Sequence, residues 1–435
     1  MNSHNSDKMG FNATWSMAVG GMVGGGIFSV LGVVVMLAGK WAWLSFTFAG
    51  LIALATAYSY SQLADKFGEG GGAFTFLREM NRKDFAGSLS WVLIFGYILT
   101  ISVYAFTFGH YVAHVFNFGA WMPRACAFAV VFVLTAVNLK GVGESAILEI
   151  VTVWGKLLIL IGLAAIGLWK WQPEQLTAGI EPQGILGAVI GAASVFMAYE
   201  GFQLLAYDYE DIRDPKKTLP RAVISAVVAV ILVYILVATG ATMLVGAQTI
   251  VERKEIAIAV AGRKALGTWG LGLATVAAAF STGSAINATL FATARLMHEV
   301  AKDHELPPVL CHRNENGVPD RPVIIIGGIG ALLAVLGSLE MLVEAASLTF
   351  LFTFTAVNVM AFLQCRNRRW VFGFGGVGAA IAGVVLTGRL IIEAPLALAL
   401  LTTLGLIATF GRPRINRFTE RLHEKKGFEA SNRSQ

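Results

Sequence analysis

Apolar residues fall along this chain in long blocks, not in the alternation of a half-buried strand or the single stripe of a surface helix. Twelve blocks stand between charged or Gly/Pro-rich breaks, at about 11–38, 41–64, 86–116, 121–139, 145–171, 184–207, 218–246, 269–299, 322–339, 342–364, 370–391 and 394–411. Each is close to the roughly 20 residues a helix needs to cross a bilayer. A helix that is apolar on all sides needs apolar surroundings on all sides. The pattern therefore predicts an all-α membrane protein with 12 transmembrane helices. Spans nine and ten nearly touch around Leu339–Glu344, and Arg389 and Glu393 divide eleven from twelve.

Composition agrees with this reading. Of 435 residues, 56% are hydrophobic and only 14% are charged, against about 25% charged in soluble domains. That excludes a disordered chain and a nucleic-acid binder driven by bulk charge, and three cysteines do not make a disulfide framework. The net charge of +6 is unevenly placed. With the N-terminus inside, cytoplasmic segments carry 24 Lys and Arg and external segments 8, with Lys156 in neither set. The positive-inside rule then puts both termini in the cytoplasm of a multi-pass cell-membrane protein. The tail 412–435 is basic and reads as a solvated segment near anionic lipid.

Two spans carry interruptions. Span one contains Gly20-Gly21-Met22-Val23-Gly24-Gly25-Gly26-Ile27-Phe28. Each glycine weakens a helix by about 1 kcal/mol relative to Ala. One reading is a break at Gly24–Gly26. The second half-helix would then offer bare N–H groups to a carboxylate. The first would end in free carbonyls near Met22 and Val23, suited to an ammonium group. The other reading is close packing, since Gly20/Gly24 and Gly21/Gly25 both have small-xxx-small spacing. Span six contains Phe196-Met197-Ala198-Tyr199-Glu200-Gly201-Phe202, with an acid beside a glycine deep in apolar sequence. Glu200 either attracts a cationic side chain or ties down loose backbone. Paired interruptions at corresponding positions of two halves mark the site of a secondary transporter. Spans one and six are five apart, which predicts a 5+5 inverted repeat: 11–171 as the first repeat, 184–364 as the second, and 370–411 as two appended helices.

Lys156 lies 11 residues into span five, roughly 16 Å deep and near the midplane of a ~30 Å core. A lysine there costs about 3 kcal/mol to insert on the gentlest scale. It is a proton carrier, a fixed cation in place of a metal ion, or a lysine paired with backbone carbonyls that never titrates. In span eight, Ser281 and Ser284 share a helix face, placed to bond an ammonium, to ligate Na⁺ or to bond a neighbouring helix. His110 and His114 have a metal-binding spacing but no further ligands on their span, and read as polar residues near a helix end.

These motifs together resemble the amino acid–polyamine–organocation transporter superfamily. The similarity runs from the Ala18-Val19-Gly20…Gly24-Gly25-Gly26-Ile27-Phe28 signature through Asn138-Leu139-Lys140-Gly141 and Ala198-Tyr199-Glu200-Gly201-Phe202. It continues in Asp214-Pro215-Lys216-Lys217-Thr218-Leu219-Pro220, Ser284-Ala285-Ile286-Asn287-Ala288-Thr289 and Ala301-Lys302-Asp303-His304-Glu305-Leu306-Pro307, covering about residues 11–410. Within the superfamily the chain looks most similar to proton-coupled amino acid transporters that also carry a lysine in the fifth helix. The resemblance implies a leucine-transporter-type fold with substrate between helices one, three, six and eight. It implies that the Gly24, Gly25 and Gly26 amides take the substrate carboxylate, and that carbonyls of Met22, Val23, Phe196 and Ala198 take the amine. It places Lys156 against Gly20 and Ser284. Met197 stands where many members carry an aromatic gate, with Phe196 adjacent.

The implied function is proton-coupled symport of small or apolar neutral amino acids by alternating access. An amino acid exchanger of the same fold, including one for cationic amino acids, is the alternative. A nucleotide-driven pump is disfavoured by the lack of a G-x-x-x-x-G-K-[ST] loop. An enzyme is disfavoured by the lack of a nucleophile–base or metal-ligand cluster at one depth. The partners are an amino acid, a proton and the lipid bilayer, with no cofactor and no nucleic acid.

Overall fold

The computed structural model describes residues 8–68, 70, 72–80, 82–116, 119–141 and 146–411. The basic tail 412–435 lies outside the described residues. Among them the chain is helical, and its one β-type pairing is an isolated bridge between Met9 and Ile212.

The helices are α1 (Phe11–Ala38), α2 (Ala42–Phe67), α3 (Gly72–Glu79), α4 (Lys83–Phe116), α5 (Met122–Leu139), α6 (Ala146–Lys170) and α7 (Ile185–Ser194). They continue as α8 (Pro215–Val245), α9 (Ala247–Glu252), α10 (Ala257–Lys302), α11 (Asp320–Leu336), α12 (Leu339–Gln364), α13 (Arg369–Glu393) and α14 (Pro395–Leu406). Among the described residues, eight helical segments are long and apolar enough to cross a membrane. The twelve expected spans differ from these eight for local reasons. Phe11–Phe67 runs as one segment because only a 3-10 turn at Gly39–Trp41 separates α1 from α2. Span six is broken, α11 has 17 residues, and α14 has 12 before it widens into a π turn.

The centre of the molecule is α1. From Ala18 to Val35 every residue but Gly21 is buried. A helix with no polar face can be stable only when packed on all sides, and α1 touches α4, α6, α7, α8 and α10. The outer helices present large apolar side chains instead, such as Phe128 and Phe132 on α5, Trp154 and Leu158 on α6, and Trp370 and Phe374 on α13. Exposed apolar surface of that extent belongs against lipid.

One expectation is overturned. α1 is a single α-helix through Gly24–Gly26, and the break expected there is absent. The glycines serve close packing. A methyl on Gly25 would run into the Tyr104 ring, one on Gly26 into the Tyr234 hydroxyl, and one on Gly24 would lie 2.5 Å from Ala285 Cβ. The neighbours fill the space that the missing side chains leave.

Span six does break. α7 ends at Ser194, a 3-10 turn covers Phe196–Tyr199, Glu200 is extended (φ −67°, ψ 145°), and Gly201 has φ 127° before a second 3-10 turn at Phe202–Ala206. That φ is open to glycine and strained for any other residue. α10 also bends, at Leu266 and Gly267.

Candidate functional site

The break in span six frees backbone groups that must find partners away from water. Met197 N–H donates to Ser347 Oγ (3.0 Å), and Ser347 Oγ donates to Ser194 O (2.8 Å). Gly201 N–H donates to Gln203 Oε1 (2.9 Å). The Tyr234 hydroxyl lies 2.8 Å from Ala198 O and 2.7 Å from Met22 O, so it joins the broken segment to α1. Gly21 and Gly201 meet backbone to backbone: a Cβ on Gly21 would lie 2.9 Å from Gly201 Cα. Both glycines are required by that approach.

Glu200 is buried and bonded to its own surroundings. Gln203 Nε2 donates to Glu200 Oε1 (3.0 Å) and the Tyr104 hydroxyl to Oε2 (3.4 Å). Gln203 thus holds the Gly201 amide while Glu200 holds Gln203. Glu200 therefore bears on the loose backbone through Gln203, by side-chain bonds. Beneath it, Tyr60, Phe202, Phe350 and Phe354 pack ring to ring, and Phe196 meets Phe354 edge-on at 5.6 Å.

The carbonyls of α1 also receive side-chain donors. Lys156 Nζ donates to Gly20 O (3.2 Å), and Ser281 Oγ to Val23 O (2.8 Å). A carbonyl has two lone pairs, so it can accept these bonds and keep its helical partner. Ser284 turns to Glu149 instead, its hydroxyl 2.8 Å from Oε2. The structure therefore brings Lys156 and Gly20 together, gathers Met22 and Ala198 around Tyr234, and sets Gly26 against Ala198 O. Val23 is bound to Ser281, while Ile27 and Met197 are buried beside them. Phe196 turns away towards α12.

Sequence reasoning missed four residues here. Glu149 precedes Lys156 by seven positions, two turns on the same face, and that spacing was a usable signal. Gln203 follows Glu200 by three. Nothing in the apolar runs around Tyr104 and Tyr234 set those tyrosines apart.

A cavity of about 760 Å³ opens on the face that carries the start of α1. Its inner wall includes Gly20, Gly21, Gly201, Glu149 and Ser284, and its outer wall Arg78, Asp208 and Arg295. Arg295 pairs with Asp208 at 3.3 Å. Burial pushes the Asp208 carboxyl above the usual carboxylate range, and Arg295 pulls it back. Residues from Met22 to Ile27 lie deeper and are closed from solvent.

The site is thus a buried, broken helix held against a glycine-rich helix, with a cavity reaching the joint from one side. The chain matches the family described as amino acid permease over residues 9–411. It belongs to that family. A permease of this kind is a membrane transporter for amino acids and not an enzyme. The chain is 31% identical over 339 residues to an uncharacterized protein of Methanocaldococcus jannaschii, covering 77% of this chain and 78% of that one. It is 30% identical over 351 residues to the inner membrane transport protein YbaT of Escherichia coli, covering 80% and 81%. It is 24% identical over 304 residues to the serine/threonine exchanger SteT of Bacillus subtilis, covering 69% of each.

Proposed function

We propose that this permease is a secondary active transporter that carries small or apolar neutral amino acids together with protons. The observation that carries the reading is Lys156: a buried lysine in mid-helix whose Nζ rests on the Gly20 carbonyl of the central helix. Protonated, it holds α1 against α6. Deprotonated, it loses the charge that makes the bond strong, and α1 is released. Proton loss and the movement of α1 are thereby linked.

The substrate sits where α1 meets the broken segment, between Met22–Ile27 and Phe196–Glu200. Its amine takes the carbonyls of Met22, Val23, Phe196 and Ala198. Its carboxylate takes the amides of Gly24, Gly25 and Gly26 once the closed α1 loosens there, a change made less costly by three glycines. Glu200 is already engaged by Gln203 and Tyr104, which favours a neutral over a cationic substrate. Twelve crossings in a 5+5 inverted repeat, with both termini cytoplasmic, account best for the helix order and the excess of Lys and Arg on one face. The cavity then faces the cytoplasm and the substrate site is closed. On this reading the chain falls with the proton-coupled members that carry a lysine in the fifth helix.

Similarity to an exchanger keeps obligatory exchange, with Lys156 as a fixed charge, as the second reading. Uptake by proteoliposomes separates the two. Symport predicts accumulation of labelled alanine, serine or leucine into amino-acid-free vesicles when the outside is made acidic. Uptake that needs internal amino acid and ignores the pH gradient contradicts it.

A further inference from the structure

Lys156 is buried, whereas the cavity wall stops at Gly20, Ser284 and Glu149. A proton leaving Nζ needs a group between it and water. Glu149 stands in that place. It and Lys156 are seven residues apart on α6, so they share a face to within about 20° and are separated by about 10 Å along the axis. Side chains on a helix lean towards its N-terminus, which carries the lysine towards the glutamate. Both reach the same residue of α1: Nζ bonds Gly20 O, and Glu149 Oε1 is packed so closely on Gly20 that a methyl there would collide with it. Ser284 donates to the other oxygen, Oε2, and so aims the carboxylate.

The other charges around Glu149 are engaged elsewhere or lie at the rim. α1 has no ionisable side chain between Phe11 and Ala38. On α8, the Tyr234 hydroxyl is held by Met22 and Ala198, and Lys216, Lys217 and Arg221 are exposed. On α10, Arg295 pairs with Asp208, Glu299 with Lys302, and His298 accepts from Arg313.

From this geometry we infer that Glu149 is the carboxylate through which Lys156 exchanges its proton with the cavity. In the outward step, the Nζ ammonium swings from the Gly20 carbonyl to the Glu149 carboxylate packed beside it and gives that carboxylate one proton. The products are a neutral amine and a carboxylic acid, and the acid then releases its proton to the cavity. Loading runs in reverse. Gly20 is the shared contact, and its lack of a side chain leaves the route open. The inference rests on the proton-coupled reading above.

The test compares net uptake driven by an imposed pH gradient with counterflow of labelled against unlabelled substrate at equal pH, in reconstituted full-length protein. Glu149→Gln, which keeps the shape and a partner for Ser284, is expected to lower the ratio of gradient-driven uptake to counterflow at least tenfold. Glu149→Asp, which keeps the carboxylate, is expected to restore most of that ratio. A Glu149→Gln protein with the parent's ratio overturns the relay and leaves proton coupling intact. Equal loss of uptake and counterflow in both variants also overturns it, because Glu149 is then structural. A parent protein with no response to the gradient overturns the proton-coupled reading and the relay with it.

Discussion

Two helices that pack against each other, α1 and the Ile185–Ala206 segment, show opposite responses to glycine. α1 carries five glycines between Gly20 and Gly26 and stays continuous. The other segment leaves the α-helix after Ser194 and turns furthest from it at Glu200 and Gly201. Intrinsic propensity would order them the other way. The difference lies in the neighbours. Around α1, Tyr104, Ala285, Tyr234 and Gly201 occupy the places where side chains would stand. Around the break, Ser347, Gln203 and Tyr234 take the backbone groups that the helix gives up. A glycine permits a break; partners for the freed amides and carbonyls make one.

The comparison breaks most sharply at Gly201. Gly201→Ala would force a side chain into a left-handed conformation and into the backbone of Gly21, at a cost of about 3 kcal/mol or more. It should give the largest fall in apparent melting temperature of purified protein. Gly25→Ala is expected to cost about 1–3 kcal/mol by overpacking against Tyr104, although Ala is the better helix former. If α1 is limited by its neighbours, Tyr104→Leu will be less harmful in the Gly25→Ala background than alone, a coupling that a double-mutant cycle measures. Ser347→Ala leaves Met197 N–H and Ser194 O without their partner, at about 1–3 kcal/mol, measured in the same way. The smallest effect belongs to Gly162 in α6, where a methyl would meet no atom within 4 Å. Gly162→Ala should raise stability by up to about 1 kcal/mol, since there the intrinsic preference acts alone.

The same contrast explains what could be read in advance. Apolar block lengths lie close to the helix bounds because burying backbone in lipid is a local demand on each span. The break in span six was legible because an acid beside a glycine in apolar sequence has few other uses. The state of α1 was not, since five glycines permit a break and close packing alike and only tertiary contacts choose. Lys156 stood out because a mid-helix lysine is costly wherever it points. Glu149 did not, because an acid in the first turn of a helix normally faces water. Tyr234 and Tyr104 carry hydroxyls whose partners lie far away in sequence, so no local pattern marks them.

What unites these pieces is the bond from Lys156 to Gly20, which ties α6 to the helix that carries the proposed substrate site. Gradient-driven uptake by Lys156→Ala tests it most directly, measured across external pH beside the parent protein. The account predicts residual transport that no longer changes with pH. Transport in the variant with the parent's full pH dependence would contradict it.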